Sequence, residues 1–158
     1  MSRLLFLLRS CFALTVVAMV LAAIPASASL GETVSSVTTD AQHLRASVRV
    51  TQAANYSVQE MQAAGGNVVR EYVSPQGQVF AVAWQGHFRP DLQQLLGSYY
   101  TRAQQLVQAE KTKHAGRHPI SIQQPDLVVQ MGGHQRAFSG RVYIPNLVPA
   151  NVRAQDIR

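Results

Sequence analysis

Four carboxylates, Glu60, Glu71, Asp91 and Asp126, are the residues from which this 158-residue chain could assemble acid/base chemistry. Two carboxyl groups flanking a glycosidic bond would make a hydrolase, one donating a proton while the other attacks or activates water. Their spacing fixes no distance between any two of them, and each has an ordinary role: Asp91 helps to open a helix, and Glu71 pairs with Arg70 or a neighbouring strand. His134 and Arg136, in "GGHQRAF", would serve as general base and anion holder. The alternative is a solvated stretch following a Gly132–Gly133 turn, because general-base work needs a partner group that no spacing identifies. His114 and His118 stand four apart, the separation of two metal ligands on one helix face. Gly116 and Pro119 break a helix there, however, and Lys111, Lys113 and Arg117 place positive charge where a cation would sit, so the run also reads as a basic helix C-terminus. The chain holds no G-x-S-x-G, no H-E-x-x-H and no phosphate-cradling glycine loop, and its single cysteine lies at position 11. The expectation is a protein without cofactor or metal, and not an enzyme.

Position 11 belongs to a targeting segment. Arg3 and Arg9 precede the apolar run "CFALTVVAMVLAAI" and the small-residue site "ASA" at 26 to 28, the pattern of a secretory signal peptide cleaved after Ala28. The run is shorter than the roughly 20 residues that cross a bilayer, so no stable membrane span is expected after cleavage; a retained anchor is the competing reading. With Cys11 removed, export brings no disulfide. The expected mature chain, residues 29–158, suits one domain with one core. Losing two of the 14 basic residues and none of the eight acidic ones lowers the formal charge from +6 to +4. That charge suits an anionic envelope polymer as a partner, and nothing suggests nucleic acid: there is no basic stripe or interleaved aromatic platform.

The elements that must position these residues read as α+β. Val37, Ala41 and Leu44 predict a short helix from Ser36 to Leu44, with a serine as N-cap. "NYSVQEMQAAGGNVVREYV" predicts two strands around a glycine turn. "SPQG" predicts a type I turn with Gly77 left-handed, pairing Val73 with Val79, Tyr72 with Phe80 and Val68 with Trp84. This register puts Tyr72, Phe80, Val82, Val68 and Trp84 on one face and Val73, Val79, Ala81, Val69 and Ala83 on the other. Pro90 and Asp91 open a long amphipathic helix carrying Leu92, Leu95, Leu96, Tyr99, Ala103, Leu106 and Val107. Gly97, beside that stripe, is expected to permit close approach to the Ala81–Ala83 face. "RHPISIQQP" is a connector or edge strand bounded by prolines, and Leu127 to Ile144 form a second hairpin turning at Gly132–Gly133. The sum is one small domain: an antiparallel sheet of about five strands, a meander plus a C-terminal hairpin, packed on one long and one short helix. The aromatic face would lie under the short helix with the C-terminal segment, or under a partner.

"VVREYVSPQGQVFAVAWQG", "RPDLQQLLGSYY" and "VVQMGGHQRAFSGRVYIPNLVP", in this order behind a signal peptide, resemble an exported family of Gram-negative bacteria, domain-of-unknown-function family 2844. The likeness spans nearly the whole expected mature chain and departs at His87, where a proline or small residue would be expected. It implies no activity, cofactor or site residue. The expected function is therefore a periplasmic or secreted binding or envelope-associated module. Its candidate surface is drawn from Tyr72, Phe80, Trp84, His134 and Arg136, and its partner is an envelope protein or an anionic polymer. A small envelope-polysaccharide hydrolase and a partner-dependent subunit are the alternatives.

Overall fold

The computed structural model describes residues 30–113 and 118–158; the expected signal segment and His114 lie outside the described residues. The order of elements is α1 (Ser35–Leu44), β1 (Ser47–Gln52), β2 (Ser57–Ala63), β3 (Asn67–Val73), β4 (Val79–Gly86), α2 (Leu92–Leu96), α3 (Tyr100–Lys113), β5 (Ile120–Gln123), β6 (Val128–His134) and β7 (Ala137–Tyr143). The strands form one antiparallel sheet in the order β1-β2-β3-β4-β7-β6-β5. The α+β class stands, but the sheet has seven strands rather than about five. β1 escaped because its six residues are all exposed and only Val48 and Val50 alternate as a strand should. β5, bounded by Pro119 and Pro125, is an edge strand, the position in which prolines do least harm to the ladder.

The three helices cover one face. Val37 and Ala41 of α1, Leu95 and Leu96 of α2, and Ala103 and Val107 of α3 pack on Met61, Val69, Val82, Trp84, Val129 and Val142. The opposite face carries Tyr72, Phe80, Ala81 and Ala83, and the C-terminal segment closes over it with Leu147, Val148, Val152 and Ile157. Ala81 and Ala83 leave a shallow surface, and Ile157 sinks into that surface until it is fully buried. This strap is also held by hydrogen bonds. The Tyr72 hydroxyl donates to the Arg158 carbonyl at 2.8 Å and accepts from the Arg158 amide at 2.9 Å. Arg70 Nη1 donates to the same carbonyl at 3.2 Å, and Arg141 Nη1 donates to the carbonyls of Ile157, at 2.7 Å, and Ala154.

The expected face assignment fails at one point, for a local reason. The Ser74–Gln78 turn forms as expected, with Gly77 at φ +81°, and Val73 pairs with Val79. Beyond that pair Tyr72 meets Ala81, not Phe80, so Phe80 is an extra residue and the register slips by one. Phe80 and Ala81 then share the strap face, and everything further along β4 changes sides: Val82 and Trp84 go under the helices, and Ala83 goes under the strap. Trp84 is thereby separated from Tyr72 and Phe80. Because a one-residue slip inverts every later side chain, one bulge was enough to overturn the expected aromatic face.

Smaller corrections follow the same pattern. Position 34, a valine, occupies the N-cap of α1 without a side-chain bond, while the Ser35 hydroxyl turns to Thr33 Oγ1 at 2.7 Å. Asp91 is the N-cap of α2, accepting from the amides of Gln93 and Gln94 at 3.0 and 3.1 Å. The long helix is broken at Gly97, whose φ of 48° and ψ of −123° divide α2 from α3 through one 3-10 turn. Glycine is required there by the backbone angle, and the Ala81–Ala83 surface it was expected to meet lies on the other side of the sheet. The second hairpin turns at Gln135–Arg136, with His134 paired to Ala137, while Gly132 and Gly133 stay in β6.

Candidate functional site

The four carboxylates do not assemble. Glu60 Oε2 accepts from Arg70 Nε at 2.8 Å, and that bond holds its carboxyl below the usual range. Asp126 is tied to Arg102 at 3.1 Å and is likewise lowered. Asp91 caps α2 and lies 3.4 Å from His43 Nε2. Glu71 alone is fully buried, on the helix face of β3, and it faces a carboxylate that the sequence reading passed over, Asp40 of α1. A signal for Asp40 existed: position 40 falls inside the α1 stripe marked by Val37, Ala41 and Leu44, so a buried acid was legible there.

The Asp40–Glu71 pair is sealed in the core, both residues fully buried. Asp40 Oδ1 accepts from Gln94 Nε2 at 2.9 Å, Gln59 is the cross-strand neighbour of Glu71, and Ser36 stands one turn before Asp40. Burial first, and then the adjacent Asp40, push the Glu71 carboxyl well above its ordinary 4.5, because two adjacent charges cannot be sustained in the buried interior. Both Glu71 oxygens lack an external hydrogen-bond donor, so the proton that Glu71 retains is the natural bridge between the two carboxyl groups. Among the described residues two surface grooves stand out, and Glu71 lines neither.

Those grooves lie elsewhere. The first, about 400 Å³, sits at the end of the sheet where the β2–β3 turn, the segment after β4 and the β6–β7 turn converge; its lining includes Val68, Gln85, His87, Arg136, Phe138 and Ser139. Between its lining residues Gly66 and Val68, Asn67 clamps the segment after β4, its Oδ1 accepting from the Phe88 amide and its Nδ2 donating to the Phe88 carbonyl, both at 3.1 Å. The clamp needs Gly86, since a Cβ there would collide with Asn67. It fixes a loop that leaves Phe88 63% exposed, stacks His87 edge-on against Phe88 with centroids 6.5 Å apart, and places the Arg89 guanidinium 5.3 Å from the Phe138 ring centroid. Arg136 stands at the hairpin tip with φ +66°, a conformation uncommon for any residue but glycine or asparagine. The second groove, about 460 Å³, adjoins the end of the strap and is lined by Ser121, Gln130, Arg141, Ile157 and Arg158 among others.

Of the five candidate surface residues, His134 and Arg136 are exposed together at this tip. Tyr72 and Phe80 come together elsewhere, with Tyr56, in an aromatic cluster beneath the strap. Trp84 is alone among them on the helix face, 4% exposed, its indole lying against Gly140. The sequence reading missed Phe88, Arg89 and Phe138; no local pattern distinguishes an exposed Phe in "WQGHFRP" from a buried one. Among the described residues no three His, Cys, Asp or Glu side chains gather in a metal-ligating group, and no helix is long and apolar enough to cross a membrane.

A family described as protein of unknown function (DUF2844) matches residues 26–157. No curated protein and no solved structure matches the chain.

Proposed function

The chain belongs to the DUF2844 family, and from that premise we propose that it is an exported, non-catalytic binding domain whose site is the groove at the β6–β7 hairpin tip and whose ligand is an anionic envelope polymer. One observation carries the reading: the groove is lined by His87 and Arg136 and by no aspartate or glutamate, with Arg89 fixed nearby on Phe138. A site lacking carboxylates and holding a guanidinium at a strained tip is electrostatically arranged for negative charge. The non-catalytic part is supported by the carboxylates: Glu60 and Asp126 are held in separate ion pairs, Asp91 caps α2, and Glu71 is sealed in the core. The strap over Tyr72 and Phe80 supports a self-contained domain over a partner-dependent subunit. Export is supported by the basic start of the chain, the apolar run that follows it and the small-residue site "ASA" at 26 to 28.

The test is retention of the purified protein on immobilised polygalacturonate. The wild type is retained at low salt and released as salt rises, while Arg136→Glu and His87→Glu each weaken retention by about tenfold or more, because attraction becomes repulsion. A wild type that is never retained, or a double variant that is retained equally, refutes the assignment.

A further inference from the structure

The two grooves share Gln85 and Ser139 as lining residues, so they meet. Those residues are cross-strand neighbours in the row Val68–Gln85–Ser139–Gly132, and the adjacent row on the same face runs Arg70–Ala83–Arg141–Gln130–Ser121. The face is the one that carries the strap, because Arg70 and Arg141 both donate to strap carbonyls. The strap ends at Ile157 and Arg158, and these form the wall of the second groove. Beyond that wall the sheet surface is open from β3 to β5. With strands about 4.8 Å apart, the four intervals span about 19 Å.

Along this length the side chains alternate between amide, hydroxyl and cation: Gln85, Ser139, Gln130 and Ser121, with Arg136 at one end and Arg141 further in. Arg141 is already oriented, its Nε donating to Gln130 Oε1 at 2.6 Å, and among the described residues neither Arg136 nor Arg141 forms an ion pair. No aspartate or glutamate side chain lines either groove. Amides and hydroxyls both donate and accept, as sugar hydroxyls do, whereas the cations select acidic rings. A single nucleic-acid strand would need aromatic platforms along its path, whereas of the aromatic side chains in the lining Trp84 is only 4% exposed and His87 and Phe138 stand together at one end.

We infer that the two grooves form one continuous trough on the strap face, and that its occupant is a linear polyanionic glycan, a chain of acidic sugars long enough to run from Arg136 past Gln85 and Ser139 to Arg141. This rests on the anionic ligand proposed above and adds that the ligand is extended. Isothermal titration of the exported protein with galacturonic acid, its trimer and its hexamer, in parallel with uncharged maltohexaose and a single-stranded oligonucleotide of the hexamer's charge, tests it. The hexamer binds about tenfold or more tighter than the trimer. Gln85→Glu, which puts a repelling carboxylate on an exposed position where the grooves join, collapses that length dependence while the circular dichroism and thermal midpoint stay at wild-type values. If trimer and hexamer bind equally well and Arg136→Glu weakens both, the continuous trough is refuted and the compact tip site stands. If no saccharide binds, both readings fail. Equal binding of maltohexaose refutes the role of charge, and tighter binding of the oligonucleotide refutes the glycan.

Discussion

Glu71→Gln replaces a buried carboxyl by an amide of the same shape, and the domain should become more stable at neutral pH. Glu71 keeps its proton in the folded state far above its ordinary value of 4.5, first through burial and then through Asp40. In the unfolded chain it ionises near 4.5. Between these two values the folded state holds a proton that the unfolded state has released, so stability falls as pH rises, by about 1.4 kcal/mol per unit. The decline starts above the unfolded value and stops once pH passes the folded one; from pH 5 to pH 7 it amounts to at most about 2.7 kcal/mol. Glu60, lowered by Arg70, acts in the opposite direction and lower on the scale: its contribution is lost as pH falls below the usual carboxylate range. The wild type should therefore be most stable near about pH 5. In Glu71→Gln the amide hydrogens do what the proton did, donating to Asp40 alongside Gln94, and the decline above pH 5 should disappear. Urea midpoints at pH 5, 6, 7 and 8 for both proteins are the assay. A wild type that gains stability steadily from pH 5 to 8, or a variant that declines in parallel with it, refutes the buried proton.

Three further outcomes follow from the packing. Trp84 should emit at short wavelength and resist iodide quenching, and Trp84→Ala should lose about 3–5 kcal/mol in denaturant unfolding; red-shifted, quenchable emission would contradict its place under the helices. Gly140→Ala would set a Cβ 2.8 Å from Trp84 Cε2, so it should lower stability by about 1–3 kcal/mol and shift the emission, and an unchanged midpoint would refute that contact. At Gly97 the penalty comes from the backbone angle, so alanine and leucine should destabilise by similar amounts, about 1–3 kcal/mol; a harmless alanine beside a harmful leucine would restore the close-approach explanation. For export, the intact mass of the secreted protein should begin at Ser29, and a product retaining residues 1 to 28 would favour an anchor.

Local chemistry made several elements legible from sequence. Val37, Ala41 and Leu44 mark α1 by their spacing; the glycines of "AAGG" and the Pro–Gly of "SPQG" mark two reversals; and Asp91 marks a helix start, since each of these depends on residues within one turn of one another. The hairpin-tip candidates His134 and Arg136 are visible as residue types, though the sequence puts the turn three residues early because paired glycines outrank Gln-Arg as a turn signal. What tertiary structure alone decided is everything that depends on which face a residue meets. The extra residue at Phe80 inverted β4, and no local signal marks a bulge that the neighbouring segments help to set: the Phe80 carbonyl accepts from Ile144, and residues 31 to 33 pair with the start of the strand. The Asp40–Glu71 pair joins residues 31 positions apart, and the trough joins three turns and a strap from β3 to Arg158. Composition and periodicity set the elements because those are short-range properties of the chain; the acid pair and the trough exist only where sheet order and register bring distant residues to one place.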